Sequence, residues 1–151
     1  MRRSVLFTLL FALILATGCQ ESKGNVFYIM FDSHPTLFEN GVFANGVGIG
    51  EIVETATAGN GVTRLAVVMN GDGKDMLTDS SAFYVASGRL THIALAGYGN
   101  PVEPGAKLMG FSSRMGVSWF KTKNLMTQTP WAAAIQAQEL FDAFEARYKG
   151  Q

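Results

Sequence analysis

The chain has 151 residues, of which 48% are hydrophobic and 16% are charged, with 12 basic and 12 acidic side chains. This length fits one domain, the composition argues against intrinsic disorder, and the balanced charge argues against a nucleic-acid binder that works by bulk positive charge. The single cysteine excludes a disulfide framework within the chain and a multi-cysteine zinc site.

The first 18 residues have the organisation of a secretory signal peptide. A short positive segment, Met1 to Arg3, precedes an apolar run from Val5 to Leu15 that is too short for the ~20 residues needed to span a bilayer. Leu15 to Cys19 (LATGC) then resembles a bacterial lipobox, in which the cysteine is lipidated and becomes the new N-terminus. We therefore predict a signal peptide over 1–18, lipidation at Cys19 and a tether over 19–24. An ordinary signal peptide and an uncleaved anchor are the alternatives.

Short β-strands with turn residues between them dominate the next ninety residues. The first, Asn25 to Phe31, is apolar on both faces, which suits a strand buried on two sides in a barrel or at a subunit contact. The 17 glycines suit a turn-rich β fold. We predict an all-β fold, a small barrel or sandwich, with strands over 25–31, around Val42, and over 48–57, 62–69, 80–86, 90–96 and 107–111.

Three glycines at alternate positions, Gly46, Gly48 and Gly50, stand out in this region. Asn45-Gly46 is a strong signal for a tight turn. The missing side chains allow a close backbone approach or a sharp barrel corner. A phosphate-binding loop is disfavoured, because the segment is not GxGxxG, lacks a following Lys-Ser/Thr and does not open a predicted helix.

The C-terminal part, 114–151, has a different character. Residues 112–128 are predicted to be irregular, with Trp119, Phe120 and Leu125 exposed. Thr129-Pro130 is a helix-start signal, and the pattern predicts a helix over about 130–148. Its apolar side chains recur at helical spacing and form one stripe: Ala137, Leu140, Phe141, Phe144 and Tyr148. This stripe either packs on the chain's own barrel or against copies of itself.

The segment from Phe31 to Phe111 resembles the MCE (mammalian cell entry) domain family. The resemblance is carried by the following segments: Phe31, Leu37 with the run from Gly41 to Ile52, the apolar strand Leu65 to Met69, Asp79 to Ala82 before a strand, Gly88 to Leu95, and Glu103 to Gly110. It implies a seven-stranded barrel over 25–113 that assembles into a homo-hexameric ring. It also implies the substrate-binding subunit of an ABC-type system that moves phospholipid or other lipid, together with a separate permease and ATPase.

The resemblance further implies a loop between two late strands that lines the pore of the ring. In this sequence that loop falls at Ser87, Gly88, Arg89, Leu90 and Thr91. Leu90 is its one strongly apolar residue. Arg89 stands where an apolar residue is expected, and it either forms a cationic ring that attracts phosphate head groups or points to solvent. The lipid anchor predicts a location in the cell envelope, on the periplasmic face of the inner or outer membrane.

An enzyme is disfavoured, and no catalytic residue, metal ligand or cofactor is predicted. The two histidines, His34 and His92, stand in no local motif with a nucleophile or a second ligand, and the aspartates of 72–79 lack the EF-hand order. The alternative function is a monomeric envelope lipoprotein that binds a ligand or scaffolds a complex, without a pore.

Overall fold

Seven strands pair side by side and close into a barrel. The structure, a computed structural model, describes residues 25–124 and 132–150. The strands are β1 (Val26–Phe31), β2 (Gly41–Ala44), β3 (Val47–Thr57), β4 (Thr63–Met69), β5 (Ser81–Ala86), β6 (Arg89–Ala94) and β7 (Lys107–Phe111). They pair in the order β1-β4-β3-β2-β6-β5-β7 around the barrel. The helices within the described ranges are α1 (Gly71–Met76), α2 (Arg114–Asn124) and α3 (Ala132–Tyr148). The predicted fold class, a seven-stranded all-β barrel followed by a C-terminal helix, is confirmed.

The barrel is mixed in its strand directions. β1 and β5 both run parallel to β7, and β2 runs parallel to β6, whereas the other neighbours are antiparallel. The end of β1, the β3–β4 connection, the β5–β6 turn and the end of β7 therefore share one end of the barrel, which we call the turn end. The start of β1, the end of β6 and the start of β7 share the other, which we call the tether end.

Alternate side chains from the strands point inward and fill the barrel. Phe27, Ile29 and Phe31 of β1 are all 0% exposed. Burying each side chain of this size stabilises the fold by roughly 1.5–3 kcal/mol. Side chains, rather than an open lumen, occupy the interior of small barrels of this kind. The interior cluster also includes Val42, Ala44, Ile49, Ile52, Leu65, Val67, Met69, Leu77, Phe83, Leu90 and Leu108.

The second apolar face of β1 is covered by the chain's own helix α3. Met30 on that outer face is 0% exposed and lies in one cluster with Phe144 of α3, which is 1% exposed. The outer faces of β5 and β7 pack under α2 and α3 in a further cluster that includes Met109 and Ala137. The apolar stripe predicted from the sequence, which we call the α3 stripe, therefore packs on its own barrel through Ala137, Leu140, Phe141 and Phe144. This is the first of the two arrangements that the sequence left open.

Two hairpins turn over only two residues each. Asn45 and Gly46 have φ of 50° and 81°, and Ser87 and Gly88 have φ of 52° and 77°. Positive φ at both central residues is the mark of the type I′ turn, whose twist matches that of the flanking strands. The turn predicted at Asn45-Gly46 is confirmed.

The other two alternate glycines differ from each other. A Cβ at Gly50 would lie 2.6 Å from the carbonyl oxygen of Val68, so close backbone approach requires glycine there. A Cβ at Gly48 would meet nothing within 4 Å. Close backbone approach therefore explains why glycine occupies position 50, and it does not explain the glycine at position 48.

The prediction that 112–128 is irregular is wrong over Arg114–Asn124, which forms α2. Ser113 accepts a hydrogen bond from the backbone N–H of Gly116 at 3.3 Å, as an N-cap does. Val117 is 2% exposed and packs with Phe111 against the barrel. Glycine, valine and threonine are weak helix formers, so this tertiary contact outweighs the local preference.

Candidate functional site

The β5–β6 turn, where the resemblance predicts the pore loop, is short and ordered by its neighbours. Only Ser87 and Gly88 lie outside the strands, because β6 begins at Arg89. The carbonyl of Gly88 accepts a hydrogen bond from the N–H of Phe38 at 2.9 Å. The five predicted loop residues are therefore a two-residue turn and the first three residues of a strand.

Leu90 requires a correction. Its side chain is 0% exposed and belongs to the interior cluster of the barrel. Side chains alternate across a strand, so Leu90 points inward while its neighbours Arg89 and Thr91 point outward. A side chain packed inside the barrel does not line a pore outside it, and the expected lipid contact at Leu90 is wrong.

Phe38 is an exposed apolar side chain beside the β5–β6 turn at this end of the barrel. It is 81% exposed, and its ring lies against Gly88: a Cβ on Gly88 would be 2.3 Å from the ring. The ring and the turn thus form one surface, which the sequence analysis missed. The signal available in the sequence was an aromatic residue between the turn at Pro35 and the strand at Gly41, in a segment with no apolar periodicity.

Arg89 is held by an acidic partner from the same segment as Phe38. Its Nε donates to a carboxylate oxygen of Glu39, and its Cζ lies 5.2 Å from the ring centroid of Phe43. The arginine side chain is 58% exposed and the glutamate 40%. The surface at the turn end therefore combines the exposed ring of Phe38 with an ion pair, in which the negative charge of Glu39 balances the positive charge of Arg89.

A serine–histidine pair joins β5 to β6 farther along the hairpin. Nε2 of His92 lies 3.0 Å from Oγ of Ser81, and that hydroxyl also accepts from the backbone N–H of Thr78 at 3.0 Å. Burial lowers the pKa of His92, whose ring forms a T-shaped pair with the ring of Phe83 at 5.5 Å between centroids. Ser81 is 1% exposed, so its hydroxyl is not accessible to a substrate. The pair acts as a buried hydrogen-bonded link between the strands.

No metal centre is evident in the described ranges, where no group of three or more His, Cys, Asp or Glu side chains comes together. The Asp79 carboxylate, one of the three aspartates considered from the sequence, instead accepts from the N–H and the side-chain amide of Asn100 at 3.0 and 3.1 Å. These bonds close the loop after β6.

Some of the remaining predicted features lie outside the residues that the structure describes. The signal peptide, Cys19 and its tether, and the helix start at Thr129-Pro130 all lie there. Of the side chains predicted to be exposed before the helix, Trp119 is 71% exposed, Phe120 is instead half-buried against the barrel, and Leu125 lies outside the described residues. Met115, which was not predicted, is 81% exposed one turn before Trp119 on α2. None of the helices in the described part of the chain is long and apolar enough to cross a bilayer.

Comparison with known proteins does not assign the chain to a family. A scan against protein-family models finds no match, and a search of curated proteins finds no relative. The resemblance to MCE domains therefore stays a prediction.

Proposed function

We propose that the chain is a lipid-binding component of an MCE-type lipid transport system in the cell envelope. It assembles as a homo-hexameric ring around an apolar pore, and a separate permease and ATPase complete the transporter. The observation that carries this proposal is the closed seven-stranded barrel, which is the fold that the resemblance implies. Because side chains fill the barrel interior, the lipid path runs between copies of the chain and not through one barrel.

The physical role of such a ring is to shelter acyl chains from water. Each methylene exposed in the aqueous periplasm costs about 0.8 kcal/mol, so a lipid with two long chains does not cross it unaided at a useful rate. A ring of apolar side chains offers a covered route without consuming energy. We assign the lipid contact of the β5–β6 turn to Phe38, since Leu90 lies in the core.

The first experiment measures mass and bound lipid together. Residues 20–151, which contain every described element, are purified without the lipid anchor and examined by native mass spectrometry and by lipid extraction. A hexamer that carries lipid supports the proposal. A monomer without lipid contradicts it.

The second experiment maps the lipid contact. A photoreactive residue replaces Phe38 in one variant and Tyr98 in a matched control, because Tyr98 is also an exposed aromatic, at 65%, but lies in the loop after β6 at the tether end. Lipid labelling from position 38 in excess of that from position 98 is expected. Equal labelling, or labelling from position 98 alone, removes the turn end from the lipid path.

A monomeric envelope lipoprotein that binds a ligand or scaffolds a complex remains the second candidate. One observation favours it: the α3 stripe, which was a candidate surface for self-association, packs on its own barrel with Ala137 at 0% and Phe144 at 1% exposure. The mass measurement separates the two functions directly.

A further inference from the structure

Helix α2 has one face on the barrel and one face with no partner in the described residues. Val117 and Phe120 face inward with the cluster over β5 and β7. At about 100° per residue, the opposite side presents what we call the outer face of α2. Its members are Met115, Ser118, Trp119 and Thr122, with Arg114 and Lys123 at its two edges, and all six are exposed.

The centre of this face is less polar than its sequence indicates. Oγ of Ser118 donates to the carbonyl of Arg114 at 3.3 Å, and Oγ1 of Thr122 donates to the carbonyl of Ser118 at 2.9 Å. Both hydroxyl protons are thus used inside the helix, as in helices that lie in lipid. The groups turned outward between them are the thioether of Met115 and the indole of Trp119.

The edges of the face are cationic without compensation. Arg114 and Lys123 form no ion pair within residues 25–124 and 132–150, and α2 contains no acidic residue. Lys121, the third cation of the helix, instead donates to the carbonyl of Ala94 at 3.3 Å and so ties α2 to the end of β6. An apolar strip with an indole, bordered by free cations, has the chemistry of a helix that lies in the interface of an anionic membrane.

The position of α2 on the fold fits the same occupant. Its contact with Ala94 places its C-terminal half at the tether end, where β1 begins at Val26. The seven steps from Cys19 to Val26 span at most about 25 Å, and α2 itself is about 16 Å long. A chain anchored through Cys19 therefore holds α2 within reach of the membrane that carries the anchor.

We infer that the outer face of α2 is a membrane-docking surface for anionic phospholipid. The indole and the thioether enter the interface, and Arg114 and Lys123 pair with lipid phosphates. This inference needs neither the ring nor the transport of lipid, and it differs from the proposed function in its site and in its measurement.

The test uses residues 20–151 without the lipid anchor, mixed with vesicles of phosphatidylglycerol in phosphatidylcholine or of phosphatidylcholine alone. We expect cosedimentation with the anionic vesicles that weakens from about 0.1 M to about 1 M salt. Replacing Arg114 and Lys123 together by Gln weakens binding about fivefold for each charge removed. Arg147→Gln, on the exposed side of α3 toward the turn end, is the matched charge control and leaves binding unchanged.

A separate set of variants tests the apolar part of the outer face of α2. Trp119→Ser weakens vesicle binding about tenfold, because the indole no longer enters the interface. Tyr148→Ser, which removes an exposed ring at the end of α3 that lies toward the turn end of the barrel, is the control without effect. In a Trp131→Phe background Trp119 is the single tryptophan, and its emission shifts to shorter wavelength on anionic vesicles.

Three results would overturn the inference. The first is binding by the wild-type protein that Trp119→Ser does not weaken. The second is equal binding to anionic and neutral vesicles. The third is an oligomer that Trp119→Ser converts to monomer with no vesicle binding at all, which would assign this face to contact between copies of the chain. Circular dichroism of each variant confirms that the exposed substitutions leave the fold intact.

Discussion

The guanidinium carbon of Arg64, on β4, lies 5.1 Å from the ring centroid of Phe144, on α3. The same guanidinium lies 5.2 Å from the ring of Tyr28 on β1 and donates to Glu54 on β3 at 2.6 Å. A cation over aromatic rings contributes about 0.5–2 kcal/mol, more when it is sheltered from water. One side chain therefore couples three strands of the barrel to the helix that covers them.

Removing the ring of Phe144 is expected to be costly. Phe144→Ala leaves a cavity under α3 and takes away a cation–π partner, so the free energy of unfolding falls by about 3–5 kcal/mol. Tyr148→Ala is the matched control: its ring stacks on Phe144 at 4.9 Å but is 47% exposed, and its loss costs less than about 1.5 kcal/mol. Urea unfolding followed by circular dichroism measures both. Equal losses for the two variants would show that α3 is not docked as described.

Leu90 is expected to act on stability and not on lipid contact. Leu90→Ala removes a fully buried side chain from the barrel interior and lowers the free energy of unfolding by about 2–5 kcal/mol. Arg89→Ala, one residue earlier, breaks only an exposed ion pair and costs less than about 1 kcal/mol. Thermal unfolding of the pair is the measurement. A Leu90→Ala variant as stable as the wild type would show that the Leu90 side chain is not packed in the barrel interior.

Gly50 and Gly48 provide a matched pair on one strand. Gly50→Ala places a Cβ 2.6 Å from the Val68 carbonyl oxygen, and the backbone shift that follows costs about 1–3 kcal/mol. Gly48→Ala meets no atom within 4 Å, and the smaller entropy of its unfolded state makes it neutral or stabilising by roughly 0.5–1 kcal/mol. The sign of the difference between the two unfolding free energies is decisive. Two equally destabilised variants would contradict the close contact of β3 with β4.

His92 is expected to make stability depend on pH. Burial lowers its pKa in the folded state below the ordinary value of 6.5, so the unfolded chain takes up a proton at a pH where the folded chain does not. This contribution is fully present above pH 6.5 and is lost as the pH falls from 6.5 through the folded pKa. Stability rises with pH in that window because the unfolded state binds more protons there.

The matching experiment compares unfolding free energies between about pH 5 and 8. His92→Gln is expected to flatten the profile relative to the wild type. His34→Gln is the control, since His34 is exposed and bonds only to the Thr57 hydroxyl, at 3.2 Å. A wild-type profile that His92→Gln leaves unchanged would mean that the imidazole is not buried as a neutral ring.

Much of the barrel was predictable because its signals are local. The two-faced strand at Asn25 to Phe31 and the turn at Asn45-Gly46 follow from side-chain alternation and from the need for positive φ. Helix α2 was not predictable in this way. Its residues favour a helix weakly, and the burial of Val117 in one cluster with Ala82 and Ala137 joins positions that only the folded barrel brings together.

The features of the candidate site also fall into those that the local sequence predicts and those that depend on the folded structure. The sequence alone determined that a break between strands lies at 87–89, that the strands are short and apolar, and that a helix follows the barrel, because each depends on neighbours along the backbone. Only the tertiary structure decided that Leu90 faces the core, that Phe38 covers the turn, and that one face of α2 stays open. Those outcomes depend on strand register and barrel closure, which join residues far apart in the chain and leave no local trace in it.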